Sequence, residues 1–311
     1  MGDGAAVDNV INVRGAVKRY GEKTVVRDVD LSVCAAEHMV LIGHNGAGKT
    51  TLMKLMLGLT HPSAGTVRVL GGDPATAAAV QRRALGYLPE SVAFHSAMKG
   101  REVLAFYARL KGVAPAECRS ILEQVGLDKA ADRRVSTYSK GMRQRLGLAQ
   151  AMLGSPRLLF LDEPTSGLDP SLRRHFYGLI DALTRAGTTS LTSSHSLNEV
   201  EARADRIAIM KMGSIVACGT LAELSRKAGL PIMVRLKVTS GSAARVAERL
   251  APMGEVRRVN EHGVELSCLG ASKMVLLRQI AGLGDVVEDM DVIAPRLDEI
   301  YSHYMEDVQP Q

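Results

Sequence analysis

The sequence predicts an α/β protein built on a parallel sheet, followed by a second, smaller α+β domain. An apolar run at residues 39–42 leads directly into a glycine-rich loop at 43–51. A second apolar run, at 158–161, is followed by two adjacent carboxylates. Open α/β sheets bind their ligands at this C-terminal end of the strands. Beyond Leu224 the strand and helix patterns begin again in a different order. With 311 residues, the chain is long enough for one large domain and a smaller one.

The composition is that of an ordinary globular protein with a basic excess. The net charge of +6 suits contact with a lipid surface or a nucleic acid, or serves solubility alone. No stretch approaches the ~18 apolar residues of a membrane span, and residues 1–10 lack a signal-peptide layout, so we expect a cytoplasmic protein. The four cysteines and eight histidines are scattered, which predicts neither disulfides nor a transition-metal site.

The glycine-rich loop reads Gly43-His44-Asn45-Gly46-Ala47-Gly48-Lys49-Thr50-Thr51 and matches the phosphate-binding pattern. Its glycines allow a tight turn that aims successive N–H groups inward, making an anion site that continues into a helix N-terminus. Lys49 would reach the β- and γ-phosphates of a nucleotide, and the Thr50 hydroxyl would ligate Mg²⁺. The loop therefore predicts a triphosphate site.

The elements around this loop follow from apolar periodicity. Alternation predicts an antiparallel strand pair at 10–17 and 25–33, and an aromatic side chain, Tyr20, ends the first strand where it could stack on adenine. Three-and-four spacing predicts an insert of helices at about 91–155. The remaining predicted elements before it are a helix at 51–58 and strands at 66–71 and 83–89.

After the insert, polar residues stand at predicted strand ends and helix starts. Ser139 is a natural N-cap for a helix that runs to residue 153. The strand at 158–162 delivers Asp162 and Glu163, and the strand at 188–193 leads to His195 on the same side. A turn at 166–170, which contains Asp169, begins a further helix, and a hairpin around Gly213 closes the domain.

The sequence predicts two domains, at residues 1–226 and 227–311. In the second domain, the order of elements is βαββαβ with one more helix, which suggests a ferredoxin-like fold. Such a domain could support dimerisation or stability, or dock a partner, and the sequence leaves these roles open.

Together the motifs resemble the ATP-binding cassette (ABC) ATPase family, from Val10 to about Leu224. The resemblance implies an ABC-type nucleotide-binding domain, with a core sheet, an antiparallel β subdomain and a helical insert. It implies that Lys49, Glu163 and His195 act on ATP, with Glu163 as the base, and that Asp162 holds the Mg²⁺ shell. It further implies that Asp169 takes part in nucleotide binding, and that the chain forms a homodimer in which Ser139 and Gly141 of one protomer complete the partner's ATP site.

Two positions depart from the family pattern. The signature, usually Leu-Ser-Gly-Gly-Gln, reads Tyr138-Ser139-Lys140-Gly141-Met142. Glu90 stands where the family has a glutamine; its carboxylate can still ligate Mg²⁺, but it adds a negative charge and loses the amide donor.

Residues 131–150, 276–279 and 301–306 resemble one branch of the family, the NosF-type ATPase subunits that serve maturation of nitrous oxide reductase. This resemblance implies a NosY-like membrane permease as partner, further maturation proteins at the C-terminal domain, and a location at the cytoplasmic face of the bacterial inner membrane. The alternative is a soluble ABC ATPase that acts on ribosomes or nucleic acid. One phosphate loop and no sustained heptads disfavour it, so no nucleic acid partner is expected. The cargo and the direction of transport are not encoded in recognisable residues, although the single C-terminal domain and the lack of a soluble substrate site favour an exporter.

Overall fold

The computed structural model describes residues 9–306, which fold into two compact units that divide between Cys218 and Gly219. The division precedes the predicted boundary at 226/227 because a helix at Leu221–Lys227 contacts the last helix of the chain. The strands of the first unit are β1 (Asn9–Tyr20), β2 (Lys23–Cys34), β3 (His38–Ile42), β4 (Ala64–Val69), β5 (Leu85–Leu88), β6 (Leu158–Asp162), β7 (Thr189–Ser194), β8 (Arg206–Lys211) and β9 (Ser214–Gly219). Its helices are α1 (Lys49–Met56), α2 (Ala79–Arg83), α3 (Gly100–Lys111), α4 (Pro115–Gln124), α5 (Lys140–Met152), α6 (Pro170–Arg185) and α7 (Leu197–Val200).

The central sheet of the first unit has the strand order β5-β6-β7-β3-β8-β9. The first five strands in this order, β5-β6-β7-β3-β8, pair in parallel. Every residue of β3, β6 and β7 is buried. Covering on both faces explains why β3 and β6 read as unbroken apolar runs. Ile42 pairs with Ser194 and Asp162 with Ser193, so the three buried strands end at one edge of the sheet.

A second sheet, with the order β2-β1-β4, is antiparallel. The predicted strand pair is confirmed as β1 and β2, with Tyr20 paired to Lys23 across the turn. The inward side chains of these strands share one apolar core with β3 and α1, including Ile11, Val33 and Leu52. This packing fixes the hairpin beside the glycine-rich loop.

The predicted helical insert is present as α3, α4 and α5, whose apolar faces form a second core with β6. The prediction of a strand at 83–89 was wrong at its start. Residues 79–83 form α2, closed by a bond from the Ala84 N–H to the Val80 carbonyl, and β5 begins only at Leu85. No side chain of α2 is buried, so no apolar spacing in the sequence marked this short helix.

The second unit contains β10 (Pro231–Val238), β11 (Glu255–Arg258), β12 (Gly263–Leu269) and β13 (Val287–Ile293), and the helices α8 (Leu221–Lys227), α9 (Ala243–Leu250), α10 (Lys273–Ala281) and α11 (Leu297–Glu306). Its sheet has the order β11-β12-β10-β13, and all three pairings are antiparallel. Side chains of β10 alternate strictly between exposed and buried, and the buried ones pack with Val246 of α9 and Leu276 of α10. The outer strand β13 carries Glu288, Asp289 and Asp291, all exposed.

Candidate functional site

A cavity of about 690 Å³ opens in the first unit where the glycine-rich loop meets the segments that follow β6 and β7. Every residue that lines it belongs to this unit. These residues are Lys23, Thr24, Val25, Arg27, His44, Asn45, Gly46, Ala47, Gly48, Lys49, Thr50, Thr51, Glu90, Glu163, Ser166, His195, Met212 and Gly213.

The glycine-rich loop is pressed against its neighbours so closely that two of its glycines admit no side chain. A Cβ on Gly43 would lie 2.4 Å from the Met210 carbonyl oxygen, and one on Gly48 would lie 2.8 Å from that of Val25. Gly48 also has φ +107°, in the region that favours glycine. The loop therefore holds its backbone close to β2 and β8 before α1 begins at Lys49.

The Lys49 ammonium is buried within the loop that precedes it. Its Nζ donates hydrogen bonds to the carbonyl oxygens of Gly43 at 2.6 Å and His44 at 3.3 Å, and it lies 3.5 Å from Glu163 Oε1. A buried cation at a helix N-terminus attracts an anion to that position.

Glu163, which follows β6, contacts His195, which follows β7. Its Oε2 lies 2.6 Å from His195 Nδ1, while its buried Oε1 has no hydrogen-bond partner among the residues that the structure describes. Lys49 Nζ, 3.5 Å from Oε1, is close enough for an ion pair but too far for a good hydrogen bond. A carboxylate oxygen left with an open acceptor position beside a cationic loop fits a water or a hydrated metal ion.

Ser193 is a site residue that the sequence reasoning missed. Its hydroxyl donates to Asp162 Oδ1 at 2.6 Å and accepts from the Glu163 N–H at 2.9 Å. The pairing of Asp162 with Ser193 across β6 and β7 brings these groups together, and Ser193 is fully buried. The available signal was a serine two residues before His195 at the end of a buried strand.

Burial and the neighbouring Asp162 raise the pKa of Tyr87 to about 12, so its phenol stays neutral beside the carboxylates.

Basic side chains from the β1–β2 hairpin also reach the cavity. Lys23 and Arg27 line it together with Lys49, against the carboxylates Glu90 and Glu163. No sequence motif marks Lys23 and Arg27, because only the placement of the hairpin beside the loop brings them to the cavity. Three cations and two carboxylates favour a ligand with several negative charges.

The other predicted residues lie outside the set that lines the cavity. Gly43 and Asp162 are buried behind it, and Tyr20 is half exposed at the hairpin end, with Lys18 Nζ 4.9 Å from its ring centroid. Its contact with adenine stays a prediction. Ser139 and Asp169 are exposed N-caps, of α5 and α6, and Gly141 is buried in the first turn of α5.

Comparison with known proteins decides the family. The family model for the ABC transporter ATP-binding domain matches residues 26–166. The chain is 35% identical over 306 residues to the daunorubicin resistance ATP-binding protein DrrA3 of Streptomyces coeruleorubidus, covering 95% of this chain and 96% of that protein. The chain belongs to the ABC transporter ATP-binding subunits.

Two further ABC proteins agree with this assignment. The linearmycin resistance ATP-binding protein LnrL of Bacillus subtilis is 32% identical, over 80% of this chain and 81% of its own. A solved structure of an ATP-binding subunit of an ABC transporter superimposes with a TM-score of 0.66 at 30% identity, covering 70% of this chain and 92% of that one.

As a member of this family, the chain is an ATPase of the ABC type, and its nucleotide-binding domain binds ATP with Mg²⁺. ABC ATPase subunits dimerise and pair with a membrane permease. Within residues 9–306 of this chain, no helix has the length and apolarity needed to cross a bilayer.

Proposed function

We propose that this chain is the ATP-hydrolysing subunit of an ABC exporter, and that Glu163, His195 and Lys49 carry the hydrolysis. The observation that supports this most strongly is the chain of contacts from Lys49 through Glu163 to His195 at the mouth of the glycine-rich loop. ATP hydrolysis needs the γ-phosphoryl charge neutralised and a water held in line, and these groups supply both.

Each side chain has a distinct proposed role. Lys49 neutralises charge on the β- and γ-phosphates, Glu163 polarises the attacking water, and His195 orients that water and hydrogen-bonds the γ-phosphate. Thr50 and Asp162 would hold Mg²⁺, with Glu90 as a further oxygen donor at the cavity wall. Bound Mg²⁺ offsets the negative charge that develops on the phosphate oxygens.

The deciding experiment for these roles is Glu163→Gln in the full chain. The amide keeps the size of the side chain but cannot act as a base, so nucleotide binding is retained while turnover falls by about 10²-fold or more and a closed dimer accumulates. ATP turnover, binding of a fluorescent ATP analogue and size-exclusion chromatography measure these three effects. Hydrolysis at the wild-type rate would overturn the assignment of Glu163.

The proposed direction of transport and the proposed cargo are supported by the relatives and by the sequence itself. Two relatives are named for resistance to daunorubicin and to linearmycin, which favours an exporter. The amino-acid sequence at 131–150, 276–279 and 301–306 supports a narrower proposal. The chain would be a NosF-type subunit that works with a NosY-like permease at the cytoplasmic face of the inner membrane.

Loss of the gene in a denitrifying host separates these two cargo classes. A defect in nitrous oxide reductase activity with unchanged drug tolerance supports the maturation role, and the reverse result supports drug export. Copurification with ribosomes rather than with a permease would favour the soluble ABC ATPase instead.

We also propose that the second unit is a ferredoxin-like domain that docks a partner or a second protomer. The order of its elements and its strand order, β11-β12-β10-β13, support this. The proposed domain bounds, 1–226 and 227–311, follow from the change of sequence pattern.

A further inference from the structure

A largely buried carboxylate, Glu199, lies four residues after His195, on the short helix α7. Three side chains donate hydrogen bonds to it. The Thr165 hydroxyl donates to Oε2 at 2.9 Å, the Arg173 guanidinium to Oε1 at 2.5 Å, and the Tyr177 phenol to Oε2 at 3.4 Å. None of these four side chains lines the nucleotide cavity.

These contacts join the His195 segment to the Glu163 segment. Thr165 is two residues after Glu163 and is buried, and Arg173 also donates through Nε to the Leu168 carbonyl oxygen at 2.7 Å. Glu199 therefore fixes α7 against both the start of the 166–169 turn and the first turns of α6.

The His195 side chain needs such support from elsewhere. Its ring is 57% exposed, and the contact that holds it is the one with Glu163 Oε2. The helix that follows it spans only Leu197–Val200, and a helix this short has little stability of its own. The position of His195 therefore depends on tertiary contacts made by its neighbours, and Glu199 makes three of them.

We propose that Glu199 is a positioning residue for ATP hydrolysis, which holds His195 within hydrogen-bonding reach of Glu163 through Thr165 and Arg173. The inference rests on the proposed roles of His195 and Glu163. Glu199 touches neither nucleotide nor water in this scheme, so its loss affects the rate of the chemical step more than the binding of ATP.

The first test is Glu199→Gln in the full chain. The amide keeps an acceptor for Thr165 but loses the charge that faces Arg173. Misplacement of a catalytic group by a fraction of an ångström is expected to lower kcat by about 10-fold, while KM for ATP changes by less than about 2-fold. A kcat within about 2-fold of the wild type would overturn the proposal.

The matched control is Glu37→Gln. It makes the same change in another buried carboxylate of the first unit, where Glu37 Oε1 lies 3.1 Å from Arg206 Nη1. Glu37 directly precedes β3, and neither residue lines the cavity, so kcat should stay at the wild-type value. Thermal unfolding of both variants is measured in parallel, and an equal loss of kcat in both would assign the effect to stability and overturn the proposal.

A second pair of variants keeps the test informative if Glu199→Gln folds poorly. Thr165→Val removes the donated hydrogen bond at nearly constant volume and should lower kcat, whereas Thr165→Ser keeps the hydroxyl and should restore it. Equal kcat values for the two variants would contradict a role for this hydrogen bond.

The final measurement tests whether Glu199 affects hydrolysis through His195. In a His195→Ala background, Glu199→Gln should reduce kcat by less than about 2-fold further, because the group that it positions is already absent. Full multiplicative loss would show that Glu199 acts by another route. If His195→Ala and Glu163→Gln themselves hydrolyse ATP normally, the proposed function fails; if only Glu199→Gln does so, this inference alone fails.

Discussion

At the scale of single residues, the backbone of Glu163 is held in an unusual conformation. Its φ is +46°, in the left-handed region that costs a residue with a side chain about 1 kcal/mol or more. The N–H of Glu163 is fixed by Ser193 and its carboxylate by His195, so the surroundings impose this conformation. These two contacts therefore fix the position of the proposed base.

Ser193→Ala tests this arrangement. The change leaves Asp162 Oδ1 and the Glu163 N–H without their buried partner, so we expect a loss of about 1–3 kcal/mol in unfolding free energy, together with a lower kcat. Urea unfolding and ATP turnover measure the two effects.

Ser190→Ala provides a matched control on the same strand. The Ser190 hydroxyl is also buried, but within the described residues it has no hydrogen-bond partner. We expect its removal to be nearly neutral or slightly stabilising. If both alanine variants lost the same stability, the hydrogen bonds of Ser193 would have no special part.

The placement of residues that are adjacent in the chain could be predicted from the sequence, whereas contacts that depend on strand register could not. The phosphate loop and the Asp162-Glu163 pair could be predicted because consecutive residues follow a buried strand. Ser193 could not, because its role arises from pairing between strands about 30 residues apart. Lys23 and Arg27 were missed for a similar reason, since the packing of a hairpin against the loop brings them to the cavity.

At the scale of elements, the N-terminus of α5 is the proposed contact with the partner's nucleotide. Ser139 caps this helix by accepting a hydrogen bond from the Met142 N–H, and both Ser139 and Lys140 are exposed. Exposed N–H groups at a helix N-terminus bind phosphate readily. The cap and the phosphate contact must be separated in any test.

We expect Ser139→Arg to abolish hydrolysis while the subunit still binds ATP, because a bulky side chain blocks the approach of a second protomer's γ-phosphate. Ser139→Asn, which preserves the N-cap, should keep the helix intact with a smaller loss of turnover. ATP turnover and binding of a fluorescent ATP analogue distinguish the two variants. Unaltered turnover in Ser139→Arg would remove the shared site.

Another element contact joins β5 to the end of α5. The Lys111 ammonium donates to the carbonyl oxygens of Leu85 and Leu153, both at 2.9 Å. Burial lowers the pKa of Lys111 to about 8 from its ordinary value of 10.5. Between these two pH values the unfolded chain binds a proton that the folded one has released.

Stability should therefore rise with pH across this window for the wild type, and less for Lys111→Met. Below pH 8 both states hold the proton, and the difference between the two proteins should be constant. Urea midpoints of both proteins at pH 7.5, 9 and 10 measure the effect, with Lys129→Met at an exposed position as the control. A difference that does not change with pH would contradict a lowered pKa for Lys111.

The elements themselves were largely predictable because their apolar spacing is regular. The strands β3 and β6 were recognised as unbroken buried runs, and α3 and α4 by three-and-four spacing. Helix α2 was missed because its five residues include no buried side chain, so no apolar period marks it.

At the scale of the whole molecule, the two units have separate apolar cores. Leu266 lies in the core of the second unit, and every residue that lines the nucleotide cavity lies in the first. We expect Leu266→Ala to lower the unfolding free energy of the second unit by about 2–5 kcal/mol while ATP affinity is retained.

Leu269→Ala, at an exposed position of the same strand, is the matched control and should affect neither property. Hydrogen exchange locates the loss of stability, and a fluorescent ATP analogue reports affinity. A parallel fall in ATP affinity for Leu266→Ala would show that the second unit contributes to the nucleotide site.

The charges on the outer strand β13 bear on the solubility of the subunit before it assembles with a permease. A sheet edge offers unpaired backbone groups to any other strand, and subunits made in excess of their permease must avoid such pairing. Glu288, Asp289 and Asp291 place three carboxylates along this edge, and Lys237 Nζ lies 3.0 Å from the first of them. A second copy that approached with its own β13 would meet the like charge of Asp289 and Asp291. We therefore expect these carboxylates to oppose aggregation of the unassembled protein, so neutralising them should shorten its lifetime in solution.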